Sequence, residues 1–207
     1  MLAALFDNLD WQPAVGDPTA MGWFIVGCYA VAEWLCVLNY RRRKQLVDPP
    51  RQRRLAVYWL ALSLGMLFMG FNKQLDLQVL LHEIGRELAR DGGVLGGSRG
   101  VKLAFLSGLM FGALIVLAWF ITLMKSLGAL VLLSSVGFSV LIAYVLARAV
   151  SLYVEAMPLG EAVAPGIRVN HLFELAGIAL IIGGAWLNLK LVKSRRLTRQ
   201  SARDLTD

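Results

Sequence analysis

An all-α membrane protein, a bundle of five transmembrane helices, is the fold class this sequence predicts, and three observations predict it. Of the 207 residues, 57% are hydrophobic and only 17% are charged, with a mean hydropathy of +0.62. Several apolar runs approach the roughly 20 residues that cross a bilayer as a helix. Lysine and arginine are concentrated in short segments beside those runs, the pattern of loops on the cytoplasmic side of a membrane. That concentration also explains the net charge of +7 without nucleic acid, because the positive charge is not spread over a soluble surface.

Residues 1–20 form an extracytoplasmic N-terminal segment. It lacks the basic start of a cleaved signal, carries Asp7, Asp10 and Asp17 instead, and is expected to be retained. The first span covers residues 21–40 and holds Cys28, Cys36 and Glu33. The cysteines read as small buried hydrophobes. Glu33 is an intramembrane acid, costly if ionised, so it is protonated, turned toward the bundle or set against a cavity. Ser63, Ser134, Ser135 and Asn188 match its depth, and Lys73 and Arg148 do not. The basic connection RRRKQLVDPPRQRR follows, broken by Pro49 and Pro50.

The second span, residues 55–71, ends in NKQLDLQ, which packs Asn72, Lys73, Gln74, Asp76 and Gln78 into seven positions. Continued at about 100° per residue, Leu77, Leu81, Ile84 and Leu88 share one face, while Asn72, Asp76, Glu83, Arg86, Glu87 and Arg90 lie opposite. This predicts an amphipathic extracytoplasmic extension after the second helix. Its charges either pair locally or, nearest the membrane, turn inward to line a polar pocket. GGVLGGSRG then reads as a turn before the third span, 103–124, where Gly108 and Gly112 predict close helix packing. Lys125 marks the next turn as cytoplasmic.

The fourth span, 130–150, closes with RAVSLYVE, which brings Arg148, Ser151, Tyr153 and Glu155 to the outer interface. The fifth, 172–192, opens with RVNHLFE, bringing Arg168, Asn170, His171 and Glu174 there, and contains Gly177 and Gly184. A basic cytoplasmic tail, 193–207, ends the chain. The charge pattern places the N-terminus outside and the C-terminus in the cytoplasm, and a five-helix domain of residues 21–192 between them.

His171 and Glu174 are three apart and share a helical face. Such a pair is a candidate acid and base, or a fragment of a metal site that His82 or Asp76 would complete. No H-E-x-x-H or C-x-x-C spacing accompanies it, and no cofactor is called for. Ser151 is a candidate nucleophile only if His171 reaches it, and no G-x-S-x-G elbow surrounds it. Three readings of function follow. The first is a non-catalytic subunit or scaffold whose outer polar cluster (Asn72, Lys73, Gln74, Asp76, Gln78, Arg148, Tyr153, Glu155, Asn170) docks a partner protein or a lipid headgroup. The second is an enzyme acting on a lipid-linked or envelope substrate at the outer leaflet. The third is a small carrier or proton-linked conductor using Glu33. Membrane lipids, a membrane-protein partner and further copies of the chain are the expected partners.

At NKQLDLQ, and again at HEIGREL, RAVS and NHLFELAGI, the chain is similar to a group of small bacterial polytopic inner-membrane proteins. The resemblance covers most of the chain from the second span onward. It implies the fold and a bacterial inner-membrane, multi-pass location, and it implies no chemistry. Members of that group tend to carry more histidine after RA-x-S; here the residues are Leu152, Tyr153, Val154 and Glu155, which counts against a histidine site at that point.

Overall fold

The computed structural model describes residues 17–45, 47, 49–75, 98–127, 129–151, 162–164 and 167–204. Within them are five long apolar helices, each long and hydrophobic enough to cross a membrane: α1 (Ala20–Arg42), α2 (Pro49–Leu75), α3 (Ser98–Leu127), α4 (Ala129–Ser151) and α5 (Val169–Asp204). In hydrocarbon every backbone amide must be bonded within its own segment, and long helices meet that requirement. A 3-10 turn, Arg43–Gln45, follows α1, and an antiparallel two-stranded ladder, β1 (Ala162–Ala164) with β2 (Ile167–Arg168), leads directly into α5. The ladder has no counterpart in the periodicity of the sequence.

Local chemistry fixes the ends of α1. The Thr19 hydroxyl accepts the Gly22 amide N–H at 3.1 Å and caps the helix. At its other end Arg43 Nη1 donates to the Tyr40 carbonyl at 2.8 Å. Pro49 and Pro50 open α2, where a missing N–H costs no intrahelical bond. At about 1.5 Å per residue α5 is roughly 54 Å long, well beyond the ~30 Å hydrocarbon core, so its basic C-terminal turns lead out of the membrane as helix.

α4 packs most extensively on α5, and α1 packs on both α2 and α5. The α4–α5 contact is made backbone to backbone: a Cβ on Gly137 would stand 2.6 Å from the Gly177 carbonyl oxygen, and one on Gly177 would stand 2.7 Å from Leu141 Cγ. Gly184 lies against Ser134 in the same interface. Gly108 and Gly112 behave differently from expectation, with nothing within 4 Å of an added Cβ. α3 is the outlying helix, only 6% of its membrane-spanning stretch Leu106–Leu123 being buried, and these glycines face an apolar groove instead of a helix. α3 reaches the core chiefly through Phe120, which stacks on Phe138 with ring centroids 4.4 Å apart and meets Tyr58 at 5.2 Å.

Several buried polar groups inside the bundle are bonded across helices. The Tyr58 hydroxyl donates to the Val131 carbonyl at 3.2 Å and lies 2.9 Å from Ser135 Oγ. Asn39 donates from α1 to the Ala185 carbonyl of α5 at 2.9 Å. The basic ends of α1, α2 and α5 lie together at one end of the bundle, as the alternation of five spans requires, and a polar cluster lies at the opposite end.

Candidate functional site

The cluster is centred on Glu174, one turn into α5 and fully buried. Its Oε1 accepts the Tyr29 hydroxyl of α1 at 3.1 Å. Its Oε2 accepts Lys73 Nζ of α2 at 2.9 Å and the Tyr144 hydroxyl of α4 at 3.3 Å. The Lys73 and Glu174 side chains are each 2% exposed. Two charges this far from water are tolerable only when paired and further hydrogen-bonded, and both tyrosines serve that purpose. Arg148 Nη1 donates to the Tyr144 hydroxyl at 3.4 Å and extends the network along α4.

Asp17 closes the cluster from the side away from the basic end. Its Oδ2 lies 3.5 Å from Lys73 Nζ and 3.5 Å from His171 Nε2, while its Oδ1 accepts the Thr19 hydroxyl at 2.6 Å. Gly22 makes room for this arrangement, since a Cβ there would collide with the Asp17 carbonyl and stand 2.6 Å from its Cγ. Partial burial pushes the Asp17 carboxyl upward, yet the Thr19 hydrogen bonds, Lys73 and His171 together outweigh that and hold it below the ordinary aspartate range. His171 Nδ1 accepts the Arg168 backbone N–H at 3.3 Å. A neutral ring bonded in this way carries its proton on Nε2, facing Asp17. A cavity of about 10 Å³ beside Glu174, walled by Asn72, Lys73, Tyr144 and Arg148 among others, has room for about one water.

The structure thus brings together Lys73, Arg148, His171 and Glu174 from three separate stretches of sequence, with Asn72 at the edge. Lys73 is turned inward onto Glu174. Asp17, Tyr29 and Tyr144 complete the cluster and were not among the residues the sequence singled out for it. A signal for Asp17 exists in the D-x-T spacing just before an apolar run, a helix-start pattern; Tyr29 and Tyr144 carry none beyond a hydroxyl inside a span. Gln74 and Asn170 lie near the same end, and Gln74 Oε1, Gln74 Nε2 and Asn170 Oδ1 have no hydrogen-bond partner among the described residues. Asp76, Gln78, His82, Tyr153 and Glu155, with the amphipathic extension, lie outside the described residues, as does the side chain of Ser151.

Glu33 stands apart, in the middle of α1, where it accepts the Ser63 hydroxyl at 3.3 Å. It borders an apolar groove of about 430 Å³ between α1 and α2, which Trp23, Met66, Phe71 and Gln74 also line. Among the described residues no three His, Cys, Asp or Glu side chains are grouped so as to hold a metal ion. No family model matches the chain, and no curated protein or solved structure matches it.

Proposed function

We infer that this chain is a non-catalytic membrane subunit or scaffold, lodged in a bacterial inner membrane with its polar cluster toward the outside, where it docks a partner protein. The observation that carries this reading is the division of labour among the polar groups at that end. The charged groups are spent on one another: Lys73 on Glu174 and Asp17, Glu174 on two tyrosines, and both His171 nitrogens on neighbours within the chain. Both amide atoms of Gln74 and Oδ1 of Asn170 are not spent on any described residue, and buried amide atoms without partners are rare enough in proteins to call for a reason. Both residues are half-buried, so a turn of the side chain can present these covered atoms to a docked partner that bonds them. The rigid ionic centre would then hold the helices in register beneath the docking surface.

The test is isolation of the protein from its own membranes in mild detergent, with the native mass of the complex measured. The expected result is a partner chain in fixed stoichiometry that is lost from Gln74→Ala/Asn170→Ala while the unfolding temperature of the variant is retained. A protein that always isolates alone, with variant and wild type indistinguishable, overturns the reading.

One observation favours a second reading, an enzyme acting at the outer leaflet on a lipid-linked or envelope substrate. His171 and Asp17 have the arrangement of a base and its orienting acid. In this geometry His171 is 3% exposed and both its nitrogens are occupied, so substrate access requires the cluster to open. His171→Ala that still complements a deletion strain would remove this reading.

A further inference from the structure

At the basic end of the bundle a cavity of about 710 Å³ opens between the start of α2, the α3–α4 connection and the last membrane-embedded turns of α5. Two cations border it, Arg51 in the first turn of α2 and Lys190 in α5, and so do the polar side chains of Asn188 and Ser194. Lys190 is held in place by its ammonium, which sits 3.6 Å from the centroid of the Trp186 ring. The remaining lining is apolar, including Leu133 and Leu187, and no acidic residue contributes to it among the described residues. A cationic rim joined to an apolar wall, at the depth where basic helix ends meet headgroups, is complementary to one class of molecule.

We propose that this cavity binds the phosphodiester headgroup of an anionic phospholipid, with Arg51 and Lys190 pairing with the phosphate and the acyl chains running down past Leu133 and Leu187. Charge complementarity selects the headgroup, because basic pockets between transmembrane helices on the cytoplasmic side gather anionic lipids. The apolar wall selects a lipid over a free anion, since a soluble phosphate gains nothing from leucine side chains. Such a lipid would tie α2 to α5 at the end of the bundle opposite the Lys73–Glu174 pair.

The full-length protein in neutral detergent is titrated with phosphatidylglycerol and, separately, with phosphatidylcholine of the same chains, and retained lipids are counted by native mass spectrometry. Retention of phosphatidylglycerol over phosphatidylcholine is expected. Removing both cations in Arg51→Gln/Lys190→Gln should weaken phosphatidylglycerol binding about 30-fold, taking the contribution of roughly two surface cations. Arg41→Gln/Arg54→Gln removes the same charge from the same end of the molecule, at exposed residues that do not line the cavity, and should leave binding within about twofold of wild type. Equal loss in the two double variants would mean diffuse attraction to a basic surface and would overturn the site. So would equal retention of the two lipids, or displacement of phosphatidylglycerol by inorganic phosphate at matched concentration. Wild-type protein cross-linked to phosphatidylglycerol carrying a headgroup photoprobe gives a readout that needs no variant: adducts are expected on the peptides containing Arg51 and residues 187–194, and adducts confined to other segments refute the assignment.

Discussion

Glu174 receives hydrogen bonds from three other helices, through Tyr29, Lys73 and Tyr144, so its removal acts on the whole bundle at once. Glu174→Gln leaves the Lys73 ammonium buried without its nearest counter-charge, and a cost of about 3–5 kcal/mol is expected. Lys73→Met/Glu174→Leu removes both charges and should be markedly less destabilising than either single change. Unfolding temperatures in detergent check both; a Glu174→Gln protein within about 1 kcal/mol of wild type would show that Lys73 does not depend on this carboxylate. Asp17 gives the cluster a pH dependence of definite sign. Its carboxyl is held below the ordinary value of 3.8, so its contribution is complete above the unfolded value and is lost as pH falls through the folded one. Asp17→Asn should therefore lower the unfolding temperature at pH 6, with a difference that shrinks as pH falls below 3.8 and through the lowered folded value, and a constant difference between the two proteins would refute the assignment. His171 and Glu174 were legible in the sequence as a shared face because i,i+3 spacing is local. What that face meets was not legible, because Lys73 lies 101 residues away from Glu174 and Tyr29 lies 145 away, and nothing local encodes either distance.

Among the elements, hydropathy marked all five helices, since a bilayer leaves an apolar segment of this length few alternatives. Helix neighbours were harder to read. A pair of glycines four apart looks the same in sequence whether it meets a helix or an empty groove. Gly108 and Gly112 meet the groove, whereas Gly177 and Gly184, with Gly137 opposite them, form the tight α4–α5 seam. The distinction can be measured. Gly137→Ala places a methyl 2.6 Å from the Gly177 carbonyl and 2.8 Å from Leu180 Cβ, so the two helices must separate, at a cost of about 1–3 kcal/mol. Gly108→Ala and Gly112→Ala meet nothing and should be neutral or slightly stabilising, because alanine favours the helix by up to about 1 kcal/mol over glycine. Equal destabilisation at Gly137 and Gly108 would mean that α3 packs as closely as α4 does. The short β1–β2 ladder escaped sequence reasoning for another reason: with three residues against two, it is too short to show an alternating pattern.

Across the whole molecule, the charges are arranged by end more than by helix. Arg41, Arg42, Arg43, Lys44, Arg51, Arg53 and Arg54 lie in or beside one connection, and the ionic cluster with Asp17 lies at the other end of the same helices. Short basic connections remain in the cytoplasm because moving them across the membrane is disfavoured, and this bias orients the chain as a unit. With an odd number of spans, that bias predicts residues 17–19 outside and the C-terminal end of α5 inside. A single cysteine introduced as Arg53→Cys, in a background carrying Cys28→Ser and Cys36→Ala, should be shielded in intact cells from a membrane-impermeant maleimide and should react once the cells are opened. Pro18→Cys in the same background should react in intact cells. The reverse pattern would turn the protein over, placing the Lys73–Glu174 cluster toward the cytoplasm and the cavity beside Arg51 toward the outside. Labelling of both positions in intact cells would instead mean that the chain inserts in two orientations, and that seven clustered basic residues do not suffice to choose between them.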